Sequence, residues 1–259
     1  MSITSHFGTR GMDVPAIEHV ALDRPFLWLG RGWQDLRAAP AASLAYGLLV
    51  AALGALILGF GRNPYLLAAT TTGFLLVGPL FTTGLCELSR RRAAGESLDF
   101  DSSLSALGRN RSALTRLGGE LLLIGLVWLG LSTLMLQLAL GTVGPGVHET
   151  LWGGGLADLT AAALIGYAVV GAVLACVVFA RTVVAVPMII DRGADERTAV
   201  ATSLRVTLSD LPAMIVWAGL VTALVAFGFA SFLIGMILVF PLLGHATWHA
   251  YHDLVRSQR

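Results

Sequence analysis

The sequence predicts an all-α, polytopic transmembrane bundle, and three observations carry that prediction. Apolar residues make up 56% of the 259 residues and charged residues only 13%, about half the charged share usual in a soluble domain. The uncharged residues gather into runs of about 20 or more, the length a helix needs to cross the hydrocarbon with its backbone groups paired internally. The basic residues, all of them Arg, collect between alternate runs, as the positive-inside bias requires of cytoplasmic connections.

Each element follows in order. Residues 1–21 read as a cytoplasmic tail and 22–259 as one transmembrane domain; Asp13, Glu18, Asp23, Arg24 and Arg31 leave no apolar stretch for a cleavable signal. Asp23 to Arg37 predicts an amphipathic helix lying along the headgroups, with Pro25 in its first turn, Phe26, Leu29, Trp33 and Leu36 on one stripe, and Trp28 and Trp33 as interfacial anchors. Ala41 to Phe60 and Tyr65 to Cys86 form a hairpin around the Gly61-Arg62-Asn63-Pro64 turn. Leu117 to Leu140 is the third span and Leu159 to Pro187 the fourth, carrying Glu120 and Arg181 respectively. Leu211 to Gly244 is uncharged for 34 residues, roughly 51 Å as one helix. That is too long for one span, so the run is expected to break near Phe227-Gly228-Phe229 and give spans five and six, the alternative being one tilted or re-entrant helix. Further surface-lying segments are expected around Leu104 and Leu107, and along Val200, Leu204, Leu208 and Leu211.

Arg24, Arg31 and Arg37 precede the first span. Arg90, Arg91, Arg92, Arg109, Arg111 and Arg116 lie between the second and third, Arg192, Arg197 and Arg205 between the fourth and fifth, and Arg256 and Arg259 close the chain. The other side holds Arg62 and the Gly-rich loop from Gly141 to Asp158. Six spans with both termini cytoplasmic satisfy every connection. Pro79, Pro187 and Pro241, each late in its apolar run, suggest a three-hairpin internal repeat.

Few residues offer chemistry. His245, His249 and His252 share one helical face and are candidate ligands for Zn, Cu or haem iron, with Asp253 or Glu87 completing a set; beside Trp248 and Tyr251 they equally suit an interfacial belt. Glu120 and Arg181 stand at similar depth near the cytoplasmic ends of their spans, as a structural intramembrane charge pair or a translocation pathway. Arg90, Arg91 and Arg92 read as a topology determinant in contact with anionic lipid. Gly47, Ala51, Ala55 and Gly59 in the first span, and Gly166 and Gly171 in the fourth, permit close helix packing. Cys86 and Cys176 lie in apolar sequence and read as small apolar residues. No phosphate loop, nucleophile elbow, metalloprotease His pair or paired acid/base carboxylate is visible, and nothing matches a nucleic-acid-binding motif.

Leu22-Asp23-Arg24-Pro25-Phe26-Leu27-Trp28-Leu29, Gly32-Trp33-Gln34-Asp35-Leu36, Ser43-Leu44-Ala45-Tyr46-Gly47, Phe74-Leu75-Leu76-Val77-Gly78-Pro79 and the closing Phe240-Pro241-Leu242-Leu243-Gly244-His245-Ala246-Thr247-Trp248-His249-Ala250-Tyr251 resemble the bacterial integral-membrane family catalogued as domain of unknown function 2189. The resemblance runs over nearly the whole chain after the first 20 residues and is most specific in the closing stretch. It implies a bacterial inner-membrane protein without an established activity or cofactor. Some members carry a loose label as cytochrome c oxidase proteins, but the haem-copper oxidase core resembles a twelve-span bundle with six His ligands, which this chain does not supply. The expectation is a non-catalytic accessory, scaffold or assembly subunit of a larger membrane complex, respiratory for instance, with lipid and a complex partner or a second copy as its contacts. The rivals are a small-solute or ion translocator using Glu120 and Arg181, and a metal or haem carrier using the three His.

Overall fold

A computed structural model describes residues 17–60, 81–140 and 160–255. The elements are helical: α1 (Arg24–Ala38), α2 (Pro40–Phe60), α3 (81–94), α4 (Phe100–Arg109), α5 (Arg111–Leu140), α6 (Ala161–Thr182), α7 (Ala185–Arg192), α8 (Glu196–Ser209), α9 (Leu211–Ala230) and α10 (Met236–Leu254). The short helices on the Arg-rich side are opened by side chains suited to the purpose. Asp99 accepts from the Ser102 N–H and Asp195 from the Thr198 N–H, each satisfying a donor that the first helical turn leaves over.

Among the described residues four helices are long and apolar enough to cross a membrane, over Pro40–Ile57, Arg111–Ser132, Ala161–Arg192 and Leu211–Ala230. Most of the expected second span, with Pro79, and the Gly141 to Asp158 loop lie outside the described residues; α3 overlaps the expected span only over residues 81–86. The last apolar run does divide into two helices, but α10 is not among the four. The break falls at 231–235 rather than at Gly228. There the Leu233 N–H donates to Gly228 O and the Phe232 N–H to Phe229 O, both at 3.0 Å, the paired bonds of a Schellman closure. Phe232 (φ 53°) and Leu233 (φ 68°) take the left-handed conformation where glycine is usual. Gly228 serves instead as the point where α9 makes room for Met236 of α10.

Proline explains two other features. Pro187 has no N–H for the carbonyl four residues back and its ring crowds that turn, and the helix is interrupted at 183–184, so α6 and α7 are separate. Ser203 of α8 splices the interruption. Its hydroxyl donates to Ala180 O (2.8 Å) and accepts from the Val184 N–H (3.4 Å), the two groups that an unbroken helix would pair directly. Pro241 likewise offers no N–H to Ile237 O, and at that carbonyl Gly47 of α2 is so close that a Cβ would overlap the Ile237 backbone.

α10 is the axis of the molecule, packed along α1 and α2. α1 crosses it at Gly32, where a Cβ would stand 2.8 Å from the Ala246 nitrogen. Of the expected lipid-facing stripe, α1 buries Leu36 and half-buries Leu29. Pro25, Trp28, Gly32, Asp35 and Leu36 face inward, whereas Phe26 and Trp33 are exposed. Trp28, expected at the lipid interface, is fully buried, edge-on to Trp217 of α9 at 5.6 Å. The inward face is fixed by close backbone approach at Gly32 and by a carboxylate, neither of which adds to an apolar periodicity. The N-terminal segment is tied down as well, with Glu18 N–H on Leu254 O (3.1 Å) and Val20 N–H on Asp210 Oδ2 (2.8 Å).

The densest packing sits at the Arg-rich end. The main core joins Trp28, Leu117, residues 183–186 and 188–190, Met214, Trp217, Tyr251 and Leu254. α6, by contrast, has no buried residue.

Candidate functional site

The polar residues of the bundle concentrate in a layer where α1, α2, α3 and α10 meet. His245 is fully buried, its Nε2 2.9 Å from Ser43 Oγ and its Nδ1 2.8 Å from Ser89 Oγ. Ser89 Oγ spends its proton on Asp35 Oδ2 in a short contact. A hydroxyl has one hydrogen, so Ser89 must accept from His245 Nδ1–H, and a neutral His245 ring then accepts from Ser43 at Nε2. Asp35 Oδ2 also takes the His249 Nε2–H (2.9 Å), and Arg92 Nη1 lies on Asp35 Oδ1. Burial acts to raise the Asp35 carboxyl, but the donors His249 and Ser89, with the imidazole charges, outweigh it and hold the group below the ordinary value.

Three further clusters adjoin this chain. Asp253 accepts from Trp28 Nε1 (2.9 Å) and Arg31 Nη1 (3.2 Å), with Arg24 at 3.6 Å. Glu87, fully buried, takes Arg90 Nε (2.9 Å) and Nη2 (3.0 Å) and Arg91 Nε (2.9 Å). Tyr251 Oη donates to Asp191 Oδ2 and accepts from Arg192 Nε, both at 2.7 Å. A separate cluster joins α5, α6 and α8: Arg181 Nη2 lies on Glu120 Oε2, while Arg181 Nε is buried without a partner. Burial raises the Glu196 carboxyl, and a hydrogen bond shared with Glu120 raises it further.

The three candidate histidines are brought onto one helix but not to one point. His245 is taken by two serines, His249 by Asp35, and His252 rests edge-on to Trp248 with ring centres 4.5 Å apart, burial pushing its pKa down. Among the described residues no group of three His, Cys, Asp or Glu side chains could hold a metal ion. Arg90, Arg91 and Arg92 neutralise Glu87 and Asp35 in addition to marking the basic side. Asp35, Ser43, Ser89 and Glu196 were not singled out by sequence. Asp35 sits on an apolar helix face, but its partners are up to 214 positions away, and only the crossing of α1 over α10 joins them.

Beneath the polar layer a cavity of about 650 Å³ opens between α5, α6, α9 and α10, walled by Trp128, Phe179, Trp217 and Leu243, with the Thr182 and Thr247 side chains also on its lining. The arrangement can orient side chains and hold the layer rigid. Among the described residues it presents no nucleophile with a base aimed at open space.

Several apolar helices long enough to cross a bilayer, with the charged groups paired at one end, define this molecule as an α-helical integral membrane protein. Residues 66–191 match the model of a family described as "Predicted integral membrane protein (DUF2189)", the family that the sequence resembles. The match leaves out the closing residues 240–251 on which the resemblance leaned most. No curated protein and no solved structure matches the chain.

Proposed function

We propose that this protein is a non-catalytic accessory or assembly subunit of a bacterial inner-membrane complex, with both termini and the polar layer on the cytoplasmic side. The observation that carries this is α6, a 22-residue apolar helix without one residue buried against its own chain, exposing Ile165 (64%) and Val173 (57%). Helices in lipid associate through packing rather than hydrophobic expulsion, and small residues permit close approach; α6 offers Gly166, where nothing stands within 4 Å of a Cβ. Apart from Arg181 Nε, the polar groups described above are, by contrast, spent on one another, which suits a rigid structural layer. A benzophenone amino acid placed at Ile165 or Val173 and photolysed in native membranes should give a discrete adduct with a second membrane protein. Adducts with lipid alone would remove the proposal.

A translocation role is the second reading, and the observation that favours it is the group of two carboxyls around Arg181, whose Nε lacks a partner. Such a site could exchange a proton or accept an anion. Solute or proton flux into liposomes that is unaltered by Glu120→Gln would eliminate it.

A further inference from the structure

We propose that α9 and α10 form a re-entrant hairpin that enters the bilayer from the Arg-rich side and ends inside the hydrocarbon, where acyl chains cover Phe227, Phe229, Phe232 and Ile234. The proposal is independent of the scaffold reading and replaces two expected crossings with one half-crossing.

Depth is the first argument. The polar layer passes through His245, which is hydrogen-bonded to Ser43 of α2. From there α10 has only residues 236–244 before it ends, about 14 Å at 1.5 Å per residue. α2 supplies a second ruler. Its Ser43 touches His245 and its Gly54 abuts Leu233 in the turn, and the intervening rise is again about 17 Å. α9 gives a third. Its Trp217 is packed on Trp28, whose Nε1 is bound to Asp253, so only residues 218–230 lie beyond the layer, about 20 Å of helix. The hydrocarbon is about 30 Å thick, and α6 covers about that distance between Arg181 and Ala161. Three rulers therefore place the turn near mid-bilayer, and α2 continues past it to Phe60.

The chemistry of the turn agrees. Ser231-Phe232-Leu233-Ile234-Gly235 contains no charge, and Phe232 and Ile234 are 70% and 71% exposed. Every N–H from Ser231 to Val239 has an acceptor within the hairpin: backbone carbonyls take eight, and Ser231 Oγ takes that of Gly235 at 2.9 Å. Ser231 Oγ in turn donates back to the end of α9, towards Phe227 O and Gly228 O. A turn in water has no need of such closure, because water satisfies its donors. A turn in lipid cannot form without it. Irregular backbone at that depth also needs protein behind it, and Gly228, Leu233 and Met236 supply this as buried residues.

The test uses the full-length protein in vesicles of phosphatidylethanolamine and phosphatidylglycerol, in a Cys176→Ser background, Cys86 being fully buried. Phe232→Cys and Ile234→Cys are compared with Ser97→Cys, which lies on the Arg-rich side. A membrane-impermeant maleimide should modify Ser97→Cys from one face and neither hairpin variant from either face, whereas after unfolding in dodecyl sulfate, where the thiols can ionise in water, it modifies all three. Nitroxides at 232 and 234 should collide freely with oxygen and lose collisions with a water-soluble nickel chelate. Modification of either hairpin variant by the impermeant reagent from the face opposite Ser97→Cys would overturn the proposal and establish two full spans. Nickel access at 232 or 234 equal to that at 97 would overturn it too. Two positions are used so that a variant that fails to insert leaves the other to decide.

Discussion

Asp35 shows how a buried carboxylate is kept ionised next to a bilayer. Its side chain is only 5% exposed, a position that favours the neutral acid, and the donors His249 and Ser89 on two other helices, with the imidazole charges, reverse the preference. The folded-state pKa lies below the ordinary 3.8, so the carboxylate contributes stability that is fully present above that value and is lost as pH falls through the folded pKa. Thermal unfolding in detergent, followed from pH 6 to pH 3, should therefore show a falling midpoint at the acid end, and Asp35→Asn should lower the midpoint at pH 6 and flatten the acid limb. An unchanged acid limb in the variant would assign that loss to other groups. Ser203 makes a second test. Ser203→Ala strands the Val184 N–H and the Ala180 carbonyl in a fully packed site, a loss of about 1–3 kcal/mol, read as a lower midpoint in the same detergent, while Ser203→Thr, which keeps the hydroxyl, should retain most of it.

At the scale of elements, the interruptions proved harder to read than the helices. The apolar runs of α2, α5, α6 and α9 announced their helices because a bilayer imposes length and composition on them, and α2 begins and ends within a residue of the expected Ala41 to Phe60. What the sequence could not reveal is which glycine meets which backbone. Gly47 and Gly59 occupy the same spaced row in α2, yet Gly47 sits on the Ile237 carbonyl that Pro241 leaves without its helical donor, and Gly59 has nothing within 4 Å. Gly47→Ala should force α2 from α10, at the roughly 1–3 kcal/mol typical of overpacking or beyond. Gly59→Ala should leave the midpoint unchanged or slightly raised, since glycine is the poorer helix former. Equal effects at the two positions would show that α2 does not pack on α10 as described. The break in the last run was legible as a necessity, from length alone, but its position was not. Gly228 looked like the hinge, whereas the left-handed positions fell to Phe232 and Leu233 because Leu233 must reach the pocket at Gly54.

For the whole molecule, the decisive property is that packing is uneven along the membrane normal. The interior that water-soluble proteins place at their centre lies here at the Arg-rich end, where residues 185–190 of α7 and Ala250, Tyr251 and Leu254 of α10 are buried. That enclosure follows from the polar layer, which ties α1, α3 and α10 with bonds between residues more than 150 positions apart. Charge segregation made the sidedness legible in the sequence; the burial did not follow, because residues 185–190 and 161–175 are equally apolar and differ only in what covers them. A lipid-soluble diazirine, photolysed with the protein in vesicles and mapped by mass spectrometry, separates the two. Carbene insertion should be heavy over residues 161–177 of α6, where Ile165, Val169, Val173 and Val177 are all exposed, and absent from residues 185–190, all of them buried. Insertion at 185–190 would mean that α7 faces lipid, and the enclosed polar-side core would have to be abandoned. Protection of 165–177 in native membranes, with labelling restored after purification, would instead identify α6 as covered by a partner, because its side chains at 165, 169, 173 and 177 are exposed among the described residues.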